Sequence, residues 1–350
     1  MPVPIIKETR QDMKHVIHTS ILITIASLTI FANDFFPSKH KIEGSRKNSS
    51  LTKDSTSSVN NLIIKKTTNR QAFPIVAIID TGVDTQHPWI AKNLWQNVGE
   101  IGTDINGHDK QTNQVDDDGN GYIDDVYGWN FANSDSDLTD NNGHGTHIAG
   151  IIANKARPQV QMMILKIYDE HSKISSLAAT AKAIAYATKM GAQVINYSGG
   201  GLTPDFDEKI SLMQAAAKNI LVVAAAGNEG AKLDSSPFYP ASYNLSNIVS
   251  VAAINRYHQL MSASNYSENK VDIASLGHDV LSALPSELQG QTTGKMSGTS
   301  QATAMITALA THLWSPNIPA RTWKALILQN SQTDPQLIHK TRFASKWIFP

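Results

Sequence analysis

From Pro74 onward the chain alternates short, unbroken apolar runs with stretches of helical spacing. Ile75-Val76-Ala77-Ile78-Ile79 is one such run, ended by Asp80-Thr81-Gly82. A run of that kind, closed by a turn signal, reads as a strand buried on both faces. Residues 162–167, 192–197, 220–226 and 248–253 repeat the pattern. Between them lie helical stretches. Residues 176–190 carry Ala and Leu at helical spacing, and Gly191 is a natural stop. Residues 206–218 follow Asp205, a good N-cap. Residues 299–314 make a third helix, and 319–329 a fourth with Pro319 near its first turn. Strand–helix alternation predicts an α/β fold: a mainly parallel central sheet with helices on both faces. No internal repeat is visible.

The N-terminal part has a different texture. Residues 16–32 are apolar with scattered Ser and Thr, and Lys14 and His15 precede them. The run is short for a membrane-spanning helix, which needs ~20 apolar residues. A secretory signal peptide over 1–32 fits better, and a start at Met13 would give it the usual shape. An uncleaved anchor is the alternative. Residues 33–70 are rich in Ser, Thr, Asn and Lys and hold few large apolar side chains. Such a tract cannot offset its ordering entropy by burial, so it reads as a linker or a reduced propeptide. Residues 71–350 form the folded body. These readings place the mature chain outside the cytoplasm, secreted or periplasmic, with no membrane attachment once the signal is removed.

Composition narrows the chemistry. The 350 residues hold 30 Lys+Arg and 30 Asp+Glu. Charge is uneven: 33–70 carries eight basic against three acidic residues, and 71–350 carries 19 against 25. No overall basic excess marks a nucleic-acid partner. There is no cysteine, which excludes disulfides, thiolate zinc sites, iron–sulfur clusters and a cysteine nucleophile. No His-Glu-x-x-His string is present, so a zinc peptidase is not competitive. Gly290, Gly294 and Lys295 echo a phosphate loop only faintly, since the spacing is wrong.

Parallel sheets place ligands at the carboxyl ends of their strands. Asp80 ends the first run; alone, an Asp there serves local turn bonds as well as chemistry. Asn142-Gly143-His144-Gly145-Thr146-His147-Ile148-Ala149-Gly150 sets a histidine between two glycines, followed by small residues that let a helix pack closely. Gly298-Thr299-Ser300-Gln301-Ala302 opens an apolar helix, where a serine can cap or react. Ala224-Ala225-Ala226-Gly227-Asn228-Glu229-Gly230 puts an amide just past a strand end, able to face developing negative charge.

Together these four strings resemble the subtilisin-like serine peptidases, the subtilases, over residues 74–329. The chain order Asp, His, Ser is the known subtilisin order. The resemblance implies a three-layer subtilisin-like fold over 71–350 and a serine endopeptidase acting through an acyl-enzyme. Asp80 would orient His144, His144 would be the general base toward Ser300, and Ser300 the nucleophile. Asn228 and the Ser300 N–H would form the oxyanion hole, with no cofactor needed for catalysis. His147 does not match the catalytic histidine. The physics agrees: a serine hydroxyl needs an adjacent base of near-neutral pKa, and a carboxylate on the far ring nitrogen fixes the tautomer. Residues 196–201 resemble the substrate-binding segment, whose edge would pair with an extended peptide. Residues 173–175 would supply the opposite edge. Ser198, Gly199 and Gly200 with Ala225 and Gly227 would wall the primary pocket, and Phe238 would shorten it. Polypeptides are the expected substrates and a monomer the expected state. A catalytically weak calcium-dependent binding module is the rival.

Asp116, Asp118, Asn120, Tyr122 and Asp124 alternate around Gly121, as in the first nine positions of a calcium loop. Position twelve is Tyr127 in place of Glu, so Asp125 or a distant carboxylate must substitute. A similar acidic loop occurs in some subtilases. The chain departs from the family elsewhere. After Ser300 the family usually continues with Met and later Pro-His; here Gln301-Ala302-Thr303-Ala304-Met305 follows. Asp272-Ile273-Ala274-Ser275-Leu276-Gly277 lacks the usual Ala-Pro-Gly. The large folding pro-domain of the family is not recognisable in 33–70.

Overall fold

The computed structural model describes residues 73–286 and 290–349. The signal segment, the Met13 start and the 33–70 tract lie outside the described residues.

The strands are β1 (Ile75–Asp80), β2 (Gly128–Asn130), β3 (Gln161–Lys166), β4 (Val194–Tyr197), β5 (Leu221–Ala225), β6 (Ile248–Ile254), β7 (Ile273–Leu276), β8 (Val280–Ala283), β9 (Thr293–Met296), β10 (Gln332–Thr333) and β11 (Ser345–Trp347). The helices are α1 (His144–Lys155), α2 (Ser176–Lys189), α3 (Phe206–Ala217), α4 (Thr299–Leu313) and α5 (Ala320–Gln329). Nine strands build one sheet in the order β10-β11-β7-β6-β5-β4-β1-β3-β2. Every pairing is parallel except β10 with β11. Strands β8 and β9 form a separate antiparallel hairpin.

The unbroken apolar run of β1 divides between two layers because side chains alternate along a strand. Val76 and Ile78 pack with Ile148 of α1, Ile306 of α4 and Trp323 of α5. Ile75, Ala77 and Ile79 pack with Ala183 and Ile184 of α2 and Leu212 of α3. This is the three-layer α/β arrangement expected. Burying a side chain such as Ile78 completely stabilises the fold by about 1.5–3 kcal/mol.

Helix ends follow the local signals. Ser175 Oγ accepts the Ala178 N–H at 3.3 Å, and Asp205 Oδ1 accepts the Glu208 N–H at 2.8 Å. Gly191 ends α2 at φ +77°. The short strands β2, β7, β10 and β11 carried no clear apolar run and were not expected. Two connections then position the chemistry. Strand β1 pairs with β4 so that Ile79 lies beside Tyr197, which sets Asp80 and Ser198 at adjacent strand ends. Helices α1 and α4 pack together on one face.

Candidate active site

Asp80 ends β1 and His144 begins α1. The two meet because the turn after β1 and the start of α1 carry glycine. Gly82 takes φ +107°, and a Cβ on Gly145 would lie 2.0 Å from the Gly82 carbonyl oxygen. A side chain there would push the helix away. As it stands, His144 Nδ1 lies 2.7 Å from Asp80 Oδ1. A carboxylate only accepts, so Nδ1 carries the proton and Nε2 is left as an acceptor. Asp80 Oδ1 also accepts the Thr81 N–H at 2.8 Å, while its buried Oδ2 has no partner among the described residues. The His144 side chain is 28% exposed. Burial opposes its charged form. The charge and hydrogen bond of Asp80, helped by Asp140, outweigh that and hold its pKa above the ordinary imidazole value.

The start of α1 is held by Asp140, which the sequence reading did not single out. Asp140 Oδ1 accepts the Gly143 N–H at 2.9 Å and the Thr81 hydroxyl at 2.8 Å. Its Oδ2 accepts the Thr146 N–H at 2.8 Å and the Thr146 hydroxyl at 2.7 Å. Thr81 in turn accepts the Gly145 N–H at 2.9 Å. One buried carboxylate thus ties the β1 turn to the positive end of α1. An Asp shortly before a helix start is a capping signal that could have revealed it.

His147 lies one turn further and is fully buried. Its Nε2 is 3.0 Å from the Val280 carbonyl and 3.3 Å from that of Gly294, so it pins the β8–β9 hairpin to α1. Burial dominates its titration and lowers its pKa to about 4, against the opposing pull of those carbonyls.

Ser300 is the second residue of α4 and is 6% exposed. Its Oγ donates to the Ser198 carbonyl at 2.9 Å and makes no hydrogen bond to His144. The Ser198 hydroxyl returns a bond to the Ser300 carbonyl at 3.3 Å. Asn196 Nδ2 donates to Ser198 Oγ at 2.9 Å, and the Thr307 hydroxyl donates to Asn196 Oδ1 at 2.7 Å. The α4 start is thereby keyed to the end of β4.

Asn228 Oδ1 accepts from the Thr299 N–H at 2.9 Å and the Thr299 hydroxyl at 3.1 Å. That leaves its Nδ2 as the free end of an exposed side chain. The loop bearing it is held by Asn265, a buried residue with no local sequence signal. Asn265 donates to the Ala226 carbonyl at 2.9 Å and accepts from the Glu229 and Ala231 N–H groups at 3.1 and 2.8 Å.

A cleft of about 450 Å³ opens beside Asp80 and His144. Tyr168 and Leu177 line it together with Ser198, Gly199 and Gly200. Ser175 of the 173–175 segment caps α2, and the next residues, Ser176 and Leu177, reach the cleft. Ala225 ends β5, almost fully buried. Phe238 is 8% exposed, and its ring lies between two backbone segments. A Cβ on Gly200 would come within 2.5 Å of its Cε1, and one on Gly227 within 2.9 Å of its Cγ.

The acidic loop gathers a different set of side chains from the alternating pattern. Oxygens of Glu100, Asp116 and Asp118 lie within 4.8 Å of one another. Glu100 is fully buried, and its Oε2 has no partner among the described residues. Its other oxygen accepts the Asp117 N–H at 2.9 Å. Asp124 stands outside this group, with its carboxylate 3.3 Å from the Gln114 N–H. The Tyr122 ring turns inward onto Trp129, Phe131 and Tyr186. Asn120 spends its side chain on the Tyr122 N–H at 2.8 Å and on Asp125 at 2.9 Å. Asp125, buried, receives Tyr186 Oη at 2.5 Å and Asn97 Nδ2 at 2.6 Å, so it braces the loop. Glu100 joins this cluster from 16 residues before Asp116, a separation that no local motif spans.

A family model described as "Subtilase family" matches residues 73–344. The chain is 33% identical over 218 residues to the thermophilic serine proteinase of Bacillus sp. (strain AK1), covering 60% of this chain and 45% of that protein. It is 31% identical over 220 residues to thermitase of Thermoactinomyces vulgaris, covering 60% of this chain and 65% of that protein. It therefore spans about half to two thirds of these relatives' lengths. A crystal structure of a cold adapted subtilisin-like serine proteinase superposes with a TM-score of 0.59 at 19% identity, covering 79% of this chain and 89% of that one.

Proposed function

Because the chain belongs to the subtilase family, we propose that it is a serine endopeptidase that hydrolyses polypeptides through an acyl-enzyme at Ser300. The observation that carries this reading is the 2.7 Å contact between Asp80 and His144, at a strand end adjacent to the one that holds Ser300. The proton on Nδ1 leaves Nε2 free to act as a base. For reaction, the Ser300 hydroxyl must leave the Ser198 carbonyl and donate to Nε2. Catalytic hydrogen bonds commonly tighten only when substrate is present.

Ser300 Oγ then attacks the scissile carbonyl as His144 takes its proton. Asp80 stabilises the imidazolium. Asn228 Nδ2 and the Ser300 N–H stabilise the oxyanion. The C–N bond breaks as His144 returns the proton to the leaving amine, and water repeats the sequence to release the acid. An extended substrate would pair with the edge at residues 198–201. The walls from Ser198 to Gly200 and from Ala225 to Gly227, with the Phe238 ring between them, favour a small apolar side chain before the scissile bond.

Glu100, Asp116 and Asp118 fit a calcium ion: three hard oxygen donors, one of them a buried orphan. The ion would be structural, neutralising charges that repel one another without it. The apolar run at 16–32 supports a secreted or periplasmic location.

Fluorophosphonate labelling tests the reading. Wild type should be labelled at Ser300 and Ser300→Ala should not. A wild type that binds peptides but is never labelled would favour the calcium-dependent binding module.

A further inference from the structure

Gln301 follows Ser300 in the first turn of α4 and is 2% exposed. No hydrogen bond joins its terminal amide to a described residue, and the amide is not among the polar atoms shut off from solvent. Its position says where a partner would come from. A Cβ on Gly298 would lie 3.1 Å from Gln301 Oε1 and 3.5 Å from Asn228 Nδ2. The two amide heads therefore face one another across a single glycine without bonding. Asn228 Oδ1 lies at the same 3.5 Å and is tied to Thr299, so the NH2 is the end left to bond a ligand. Turning the Gln301 amide by half a rotation exchanges its oxygen for its NH2 about a broad, two-fold torsion.

We propose that Gln301 is a catalytic residue: an additional donor that bonds the oxyanion formed beside Asn228 during attack by Ser300. This rests on the reading of Ser300 as nucleophile. In the free protein the Gln301 amide has no partner among the described residues. In the transition state the developing oxygen charge supplies its missing partner, so the bond is made only where it lowers the barrier. An apolar side chain at this position offers no such donor.

The test is pre-steady-state kinetics of Gln301→Leu and Gln301→Glu on an ester and an amide substrate, with melting curves. Acylation and deacylation both pass through an oxyanion, so Gln301→Leu should slow both by about 10-fold or more, with KM little changed. That is less than the ~10²–10³ lost with a principal donor. Gln301→Glu should slow both further, because it places negative charge against the oxyanion. Tm of Gln301→Leu should stay near that of wild type, since no hydrogen bond within the protein is lost. Gln301→Met serves the same purpose if the leucine variant does not fold. Rates within twofold of wild type would overturn the proposal. A loss confined to acylation would too, since it would place Gln301 against the leaving peptide. A lowered Tm with unchanged chemistry would make the residue structural. Absence of fluorophosphonate labelling in wild type would defeat the reading of Ser300 itself. Labelling with unaffected Gln301 variants would defeat only this proposal.

Discussion

The ring of Phe238 lies against the backbone of Gly200, where a Cβ would come within 2.5 Å of its Cε1. The same ring meets Gly227, where a Cβ would come within 2.9 Å of its Cγ. With the primary pocket walled as proposed, the ring fills space that an aromatic substrate side chain would need. Cleavage after Ala, Val or Leu should be preferred over cleavage after Phe or Tyr. Phe238→Gly should shift preference toward aromatics by roughly 10–200-fold, the size of a one- to two-methylene mismatch. A peptide library cleaved by both forms measures this. Strong wild-type cleavage after Phe or Tyr would show that the pocket lies elsewhere.

Ser300→Ala should lower kcat by about 10⁶-fold while the melting curve stays near that of wild type; the subtilisin series is the handle for that scale. Asn228→Ala should lower kcat by about 10²–10³-fold with KM nearly unchanged. A variant defective chiefly in KM would move Asn228 from oxyanion stabilisation to substrate binding.

Chelation should destabilise the fold without touching the Asp80–His144 pair. A bound ion stabilises by mass action, about 2.7 kcal/mol at a free concentration 100 times Kd. Tm should fall in EGTA and recover with calcium. Glu100→Gln should weaken the recovery, whereas Asp124→Asn should leave most of it. An identical response in both variants would count against the Glu100, Asp116 and Asp118 cluster as the ion site.

His147 sets an acid limit on stability. Its pKa is about 4 in the fold against 6.5 when unperturbed. Between these values the unfolded chain binds a proton that the native state refuses, so stability rises with pH across that window. It is lost as pH falls from 6.5 and levels out below 4, by roughly 3 kcal/mol in all. His147→Gln keeps a donor for the hairpin carbonyls and should lose this slope in urea titrations at several pH values. A slope retained by the variant would assign the acid limit to another group.

His144 runs the other way. Its pKa is raised in the fold, so its contribution to stability is full below pH 6.5 and is lost as pH rises through the folded value. Activity needs the neutral ring, so the acid limb of kcat/KM should lie above 6.5. A limb below that value would mean that burial outweighs Asp80.

Some of this protein was determined by contiguous sequence. The runs that became β1, β3, β4, β5 and β6 are local, because a strand covered on both faces must be apolar throughout. The positions of Asp80, His144, Asn228 and Ser300 were legible because each sits in an unbroken string, and glycine beside His144 and before Ser300 announces close backbone approach. Other features were settled only by the tertiary structure. Glu100 joins Asp116 and Asp118 from a separate turn, and Asn265 braces the Asn228 loop from 37 residues away. Asp140 links the β1 turn to α1, and the Gln301 amide faces Asn228 across Gly298. Strands β2, β10 and β11 are too short to carry a period of their own. Their pairing, like these contacts, depends on which elements lie side by side and in what register. A hydrogen bond acts only over about 3 Å. Whether two distant residues come that close is set by the packing of whole helices and strands, and no local pattern encodes it.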